Sequence, residues 1–588
     1  MCCSRCFRSL GSLTIDARGT SRYKGRTTGA EHVAIRQRTT SSRKAVTDYW
    51  LVFVLALIGI ASYLPRLAAV VLVDHDDVIS IIGATCHQAR YEESIPTRQW
   101  VDASVWQQYW QWQGFGCFEQ IGQGLAHYDI HPPLYFWLLH SWFGAVGVSE
   151  TTGLMLNLVF LVVAVGAIYA ACRALAVSNA VAFIATLAWM LSLPTRTALS
   201  VVRQYALFSA FTALLLLLVV LWLKRRQGRY VVGVGVVLAA GFLTHYQFAI
   251  PAALMLLFAV AVLVRRADYR SVAQLVGAGV AALLVFYLAH PGFLESIAQA
   301  DAQAQPFTAA SFGQRAGAVF ATIFQIFNPL DWSHPLPFGL LDWQHPFDVV
   351  LNLLNVIVGC TAVYLVARFA WIGFTRRPRP WTAMISVDYL PAFTAVTTWC
   401  VIVALYVLCV SPVHAIGLQY LHFITPFLFV AVAQLAQAYQ RDIPHKVVVA
   451  LVPVLLVSAA VATAVYVGHR AEQQQIEAVR SADAVIVDST EIGVLPAVLW
   501  HADPGTSVYV ADQPDLVAHF PSLATAEGPL FYVSSSGYTN RAADRDEIVS
   551  RLANVGYRNK FQLSQGSVYL IPLGGDIWVF TNGRSPGQ

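Results

Sequence analysis

The feature that most constrains this chain is a series of long apolar runs separated by short basic ones. About eleven such runs lie near residues 49–65, 152–172, 179–196, 204–223, 230–246, 249–264, 272–290, 347–371, 389–410, 420–438 and 447–467. Each approaches the ~18–20 residues that cross a bilayer as a helix. In hydrocarbon every backbone N–H and C=O must be paired, and runs that are apolar throughout, unlike the alternating strands of a barrel, do this as helices. The expected fold class is therefore a polytopic α-helical membrane protein. Composition agrees: 57% of the 588 residues are hydrophobic and 12% charged, about half the charged share of a soluble domain. Lys and Arg gather at the ends of the runs and not on one recognition element, so no nucleic-acid partner is expected.

The basic loops set the orientation. "KRRQGR" (224–229), "RRADYR" (265–270), "TRRPRP" (375–380), "QRDIPHK" (440–446) and the Arg-rich first 46 residues all fall on one side if about eleven helices are counted, and that side is cytoplasmic. Residues 1–46 carry no apolar core of a secretory signal and read as a disordered basic tail. Residues 47–467 form the transmembrane domain. Its outer face receives the long loops 66–151 and 291–346, the short connections 197–203, 246–248 and 411–419, and the carboxyl-terminal segment. The expected location is a bacterial plasma membrane, with the amino terminus inside and the carboxyl terminus outside. Residues 468–588 read as a small extracytoplasmic α/β domain: "ADAVIVDS", "TSVYVAD" and "GPLFYVSSS" are strand-like and "DRDEIVSRLANVGY" is an amphipathic helix. It has no Gly-rich phosphate loop, so nothing supports nucleotide binding. Cys86 and Cys117 share the first outer loop and can bridge in an oxidising compartment, although spacing alone does not decide it. "WQQYWQWQ" (106–113) reads as an interfacial amphipathic helix.

Residues with chemical potential collect on the outer face. "VLVDHDDVIS" (71–80) supplies Asp74, His75, Asp76 and Asp77, and "HYDIHPP" supplies His127, Asp129 and His131. "SVVRQYALF" brings Arg203 and Tyr205, "LTHYQF" brings His245 and Tyr246, and "GLQYLHFITP" brings Tyr420 and His422. Taken singly, each has an ordinary explanation. The acidic group suits the solvated exit of a helix, the Pro pair suits a helix start, a lone Arg snorkels, and a buried His is commonly just hydrogen-bonded. Ionisable groups near hydrocarbon are costly, however, and their coincidence on one face points to a site.

An outer acidic pair after the first helix, then "HPPLYFWLLHSWFGAVGVSE", "RQYALF" and "THY", resembles GT-C type glycosyltransferases that use polyprenyl-phosphate sugars. The branch is that of protein O-mannosyltransferases and lipid A aminoarabinose transferases, and the likeness spans roughly residues 50–440. One departure is visible: where such proteins often carry Arg-Tyr before a late proline, this chain has Gln419-Tyr420 before Pro426, so one phosphate-contacting cation is either missing or supplied elsewhere, for instance by Arg203 or Arg196. The resemblance implies a hexosyl- or pentosyltransferase acting on the outer face. Its partners would be membrane lipid, a polyprenyl-phosphate-linked sugar, and an acceptor hydroxyl on a glycan, lipid or protein. Asp76 is expected as the base, with Asp77 or Asp74 as alternatives. Arg203 and Tyr205 would hold phosphate. Asp129 and His131 would line the site, and His245, Tyr246 and Tyr420 would face the sugar or phosphate. His75, Asp76, His131 and His245 are admissible metal ligands, but they lack diagnostic spacing and this branch is viewed as metal-independent, so no cofactor or metal is expected. The rival readings are a secondary transporter, against which stand the absence of repeats and the nearly uncharged midplanes, and a non-catalytic assembly protein.

Overall fold

The computed structural model describes residues 28–68, 73, 75–302, 312, 315, 385–406, 421–438, 476–477, 479–490, 495–521, 530–533, 542–554, 557–563 and 577–582. The expected spans 347–371 and 447–467, Asp74 and Tyr420 lie outside them, as does most of loop 291–346. Helix α1 (Thr28–Ala68) begins inside the stretch read as a disordered tail; residues 1–27 are not among those described.

Among the described residues, six helices are long and apolar enough to cross a membrane. They are Val46–Ala68 of α1, α7 (Glu150–Ala174), α10 (Tyr205–Arg225), the span Tyr246–Arg265 that contains α12 (Ala249–Arg265), α13 (Tyr269–Ala289), and Val387–Ala404. Shorter apolar helices are α11 (Gly228–Phe242) and His422–Ala438. The chain is a polytopic helical membrane protein, as its apolar runs require.

One expected span is broken. Residues 179–196 form α8 (Asn179–Met190) and α9 (Leu193–Leu199), bent by 53°. Pro194, in the first turn of α9, has no N–H to continue the ladder. The hydroxyls of Ser192 and Thr195 both donate to the Trp189 carbonyl at 2.7 Å, satisfying the backbone where the helix stops.

The described part of the long loop between α1 and α7 is helical too. It contains α2 (His75–Ala84), α3 (Gln88–Ser94), α4 (Ala103–Gln107), α5 (Phe118–His127) and α6 (Leu134–Val146). Cys86 and Cys117 form a disulfide that ties the end of α2 to the start of α5. The Ser149 hydroxyl caps α7 by accepting from Thr152 N at 3.0 Å, and Thr152 Oγ1 accepts from Ser149 N at 3.0 Å. That reciprocal pair, with Glu150 in the first turn, fixes where α7 enters the bundle.

A six-stranded sheet has the order β1-β3-β2-β4-β6-β5. β2 (Ala484–Val487) runs parallel to β3 (Ser507–Val510) and β4 (Leu530–Val533), while β5 (Tyr557–Leu563) and β6 (Ile577–Asn582) close one side antiparallel. The other edge is β1 (Trp100–Asp102), which comes from the long loop between α1 and α7 and pairs antiparallel with β3. Ile486, Tyr509, Leu530 and Tyr532 bury one face with Ile548 and Leu552 of the helix Ala542–Asn554. The Trp-rich stretch is therefore not the expected interfacial helix. It is short α4 plus a 3-10 turn, and Trp106, Tyr109 and Trp110 are buried, Trp110 stacked on Trp500 at 5.2 Å. Trp suits a protein core as well as a headgroup layer, and here the paired strand draws it into protein.

Candidate functional site

Three segments distant in sequence bring charge together. The first turn of α2 carries Asp76 and Asp77, where carboxylates oppose the positive end of a helix. The turn between α5 and α6 carries Asp129 and His131. Asp129 Oδ1 accepts from Ile130 N at 2.8 Å and lies 2.6 Å from His131 Nδ1, so the turn folds around its own carboxylate. Pro132 and Pro133 then lead into α6, whose Leu134 N donates to the Leu243 carbonyl at 2.9 Å. This bond brings the turn beside His245. The third segment is the link 200–204 between α9 and α10, which carries Arg203.

Arg203 joins the other two. Its Nη2 donates to Asp76 Oδ1 at 3.0 Å and its Nη1 to Asp129 Oδ2 at 3.4 Å, and the residue is 4% exposed. Burial opposes the charge on its guanidinium, but Asp76 and Asp129 more than reverse that and raise its pKa. Burial likewise pushes the Asp129 carboxyl up; His131 and then Arg203 outweigh it and hold Asp129 well below the usual carboxylate range. The cluster is thus one guanidinium between two carboxylates, with a histidine on the second.

Asp77 is engaged elsewhere. It is fully buried, and its Oδ1 accepts from Val202 N at 2.5 Å. Two adjacent aspartates therefore have different jobs: Asp76 faces the guanidinium, and Asp77 holds the backbone one residue before it.

His245 precedes the 3-10 turn Tyr246–Phe248, and its Nδ1 accepts from Gln247 N at 3.2 Å. Its ring lies 6.0 Å from that of His131, stacks on Phe208 at 4.9 Å and approaches Tyr205 at 6.4 Å. Tyr246 OH is 2.7 Å from Nε2 of His290. His131 thus touches the charged cluster directly, His245 and Tyr205 follow it ring to ring, and Tyr246 contacts His290. His127 does not join it: the residue is exposed, with Nδ1 2.9 Å from Glu295. His422 sits in a separate buried network, between the Ser209 and Thr195 hydroxyls at 2.8 and 3.2 Å, and stacks on Trp189. Arg196 lies on α9, its carbonyl accepting from Tyr63 OH at 2.9 Å.

Several residues near the cluster were not singled out from sequence. His290 closes the 272–290 run. Arg66 and Glu150 form a buried pair at 2.5 Å, one at the end of an apolar run and the other the last letter of the motif "HPPLYFWLLHSWFGAVGVSE". Asn157 interrupts the 152–172 run, and a lone amide inside a spanning helix is itself a signal of an interhelical hydrogen bond. Among the described residues, the His, Cys, Asp and Glu side chains close enough to hold a metal are Cys86, Cys117 and His140, and those two sulfurs are bonded to each other.

Residues 130–290 match the family model described as dolichyl-phosphate-mannose-protein mannosyltransferase. No curated protein matches the chain. Among solved structures, it is similar to ArnT from Cupriavidus metallidurans bound to undecaprenyl phosphate, at 13% identity and TM-score 0.44 over 90% of this chain and 97% of that one. It is also similar to the archaeal oligosaccharyltransferase AglB from Archaeoglobus fulgidus in complex with an inhibitory peptide and a dolichol-phosphate, at 12% identity and TM-score 0.41 over 92% and 74%. The arabinosyltransferase EmbB from Mycobacterium smegmatis matches at 14% identity and TM-score 0.31 over 81% and 43%. At such distances these likenesses transfer no residue roles. The family match is to sequence, and it covers Arg203, His131, His245 and the "HPPLYFW" helix. Over residues 130–290, the chain's resemblance to the polyprenyl-phosphate-sugar-dependent glycosyltransferases of mannosyltransferase type therefore stands.

Proposed function

We propose that this protein moves a sugar from a polyprenyl-phosphate donor to an acceptor hydroxyl at the extracytoplasmic membrane face. The observation that carries the reading is Arg203 held between Asp76 and Asp129: a cation suited to phosphate stands beside a carboxylate suited to a proton. In the transfer, the acceptor oxygen attacks the anomeric carbon and the bond from that carbon to the phosphate oxygen breaks. The electron pair leaves with the phosphate, and the acceptor proton passes to Asp76. Charge grows on the leaving phosphate, and in this reading the Arg203 guanidinium stabilises it. Phosphate leaves without an acid, so one base is sufficient, unlike the carboxylate pair of glycoside hydrolysis. His131, His245, Tyr205 and Tyr246 would contact the sugar or phosphate, and no metal is needed for any of these steps.

The sugar can be a hexose or a pentose, since both donors share the leaving group. The test is transfer from a radiolabelled polyprenyl-phosphate sugar in membranes holding the wild-type chain or Asp76→Asn. Loss of transfer at equal expression supports the reading; unchanged transfer sinks Asp76 as base, and inactive wild type with every such donor sinks the reading itself.

A further inference from the structure

The segment Ser200–Val202, immediately before Arg203, is held by side chains from several other elements. Arg66 Nη2, paired with Glu150 of α7, donates to the Ser200 carbonyl at 3.3 Å. Asn157 Nδ2, also from α7, donates to the Val201 carbonyl at 2.7 Å. Asp77 accepts from Val202 N. The Val202 side chain lies against Gly153 of α7, where an added Cβ would come within 2.6 Å of Val202 Cγ1. The Asn157 amide is oriented in turn: its Oδ1 accepts from Tyr135 OH at 3.3 Å, and Tyr135 belongs to the "HPPLYFW" helix. All three of Glu150, Gly153 and Asn157 fall within the first two turns of α7.

Residues 200–202 belong to the link 200–204, where Ser200 N donates to the Arg196 carbonyl at 3.0 Å and Arg203 N to the Val201 carbonyl at 2.9 Å, and the side chains above supply the bonds from outside it. Arg203 is 4% exposed, and where its guanidinium can reach depends on its backbone as well as on Asp76 and Asp129. We propose that the start of α7 is a mould for this link, with Asn157 and Gly153 as positioning residues that set the Arg203 guanidinium for the donor phosphate. This gives Gly153 and the Asn157 amide a role in a helix that is mostly apolar from Leu154 to Ala171. The inference rests on the phosphate role given above to Arg203. It adds that α7, which contributes no residue to the charged cluster, governs donor affinity through the backbone of residues 200–202.

The two residues act through unrelated atoms, an amide N–H and the space of a missing methyl, so Asn157→Leu and Gly153→Ala test one idea twice. Arg203→Lys supplies the reference background: it keeps a cation between Asp76 and Asp129 but loses the planar fork. The probe is undecaprenyl phosphate, titrated into the purified full chain in detergent, with thermal unfolding measured alongside. The expected result is a dissociation constant raised about tenfold by Asn157→Leu and by Gly153→Ala in the wild-type background, and by less than about twofold in Arg203→Lys, since neighbours that act as one unit are not additive. Asn157→Asp keeps the acceptor for Tyr135 but loses the donor to Val201, and is expected to behave as Asn157→Leu.

Unchanged affinity in Asn157→Leu and Gly153→Ala, with Arg203→Lys impaired, overturns the positioning role and leaves the phosphate role standing. Equal losses in both backgrounds overturn it as well, because they mark a general effect on stability. Wild-type affinity in Arg203→Lys and in Arg203→Gln removes the phosphate role, and the mould with it.

Discussion

Arg203 donates to Asp76 at 3.0 Å, across 127 residues of sequence, while the adjacent Asp77 turns away to accept from the backbone of Val202. Successive residues of a helix point about 100° apart, so "DHDD" cannot aim two neighbouring carboxylates at one target. On the proposed mechanism this division separates proton transfer from positioning. Asp76→Asn keeps the shape and loses the base, and transfer should fall by about 100-fold or more. Asp77→Asn still presents an oxygen to Val202 N and should keep transfer within about tenfold of wild type, whereas Asp77→Ala should fall well below it. Initial rates for the three variants decide the matter, and an Asp77→Asn variant as inactive as Asp76→Asn would reverse the assignment.

Asp129 gives a prediction about pH. Its folded pKa lies below the unfolded value of about 3.9. A carboxyl depressed in this way contributes stability that is fully present above the unfolded value and lost only as pH falls through the folded one. Between pH 5 and 8 Asp129 therefore stays charged and sets no limb of the rate profile. Asp129→Asn should lower the transfer rate, by removing one carboxylate from Arg203 and the partner of His131, without moving the midpoint of any acid limb. A shifted midpoint in this variant would show that Asp129 titrates in that range.

How much of this was legible in the sequence depends on the range of the interaction. The described spans follow from local hydropathy, and Asp76, Asp129, Arg203 and His245 could be grouped from residue type and from the membrane face expected for each. The break between α8 and α9 was marked by Pro194 but hidden by unbroken apolarity on either side. The split between Asp76 and Asp77 was not readable, since it depends on where Val202 N lies. Strand β1 was missed for a similar reason: three residues of a Trp-rich loop become a strand only because β3, some 400 residues later, offers an edge. Asn157 could have been found as the amide in an apolar run, but its target carbonyl could not.

His87 gives a second pH effect, away from the cluster. Burial lowers its pKa, the Gln111 carbonyl at 3.1 Å opposes this, and Arg90 adds to the lowering. With the folded value depressed below an unfolded value of about 6.5, stability is full above that value and is lost as pH falls below it, where the unfolded chain takes up a proton more readily. The melting temperature should drop between pH 7 and pH 5, and drop less in His87→Gln, which can still donate to Gln111. Identical slopes for the two proteins would rule His87 out as a contributor.

The Cys86–Cys117 bridge closes a loop with a sequence separation of 31, and loops of this size are worth about 3–4 kcal/mol. Cys86→Ala/Cys117→Ala should melt well below the wild type. In the intact chain neither cysteine should react with a maleimide unless a reductant is added. Labelling at full stoichiometry without reductant would show that the bridge does not form in the membrane.

The composite sheet makes the last prediction. β1 is the edge strand over β3, Trp110 stacks on Trp500, Gln107 Nε2 donates to the Ala502 carbonyl at 2.8 Å, and Arg98 Nε donates to Asp515 at 3.0 Å. Without β1, one side of β3 would show unpaired N–H and C=O groups, the state in which sheets recruit other strands. Val101→Pro removes a strand N–H, and Trp500→Ala removes a stack worth about 0.5–1.5 kcal/mol beyond its buried area. In the full chain each change should speed proteolysis within residues 476–582, with Val101→Pro having the larger effect and also promoting aggregation. Because the loop that bears β1 runs on through the disulfide to Asp129, both variants should weaken sugar transfer as well. Wild-type proteolysis and wild-type transfer in Val101→Pro would mean that the loop and the sheet are mechanically independent.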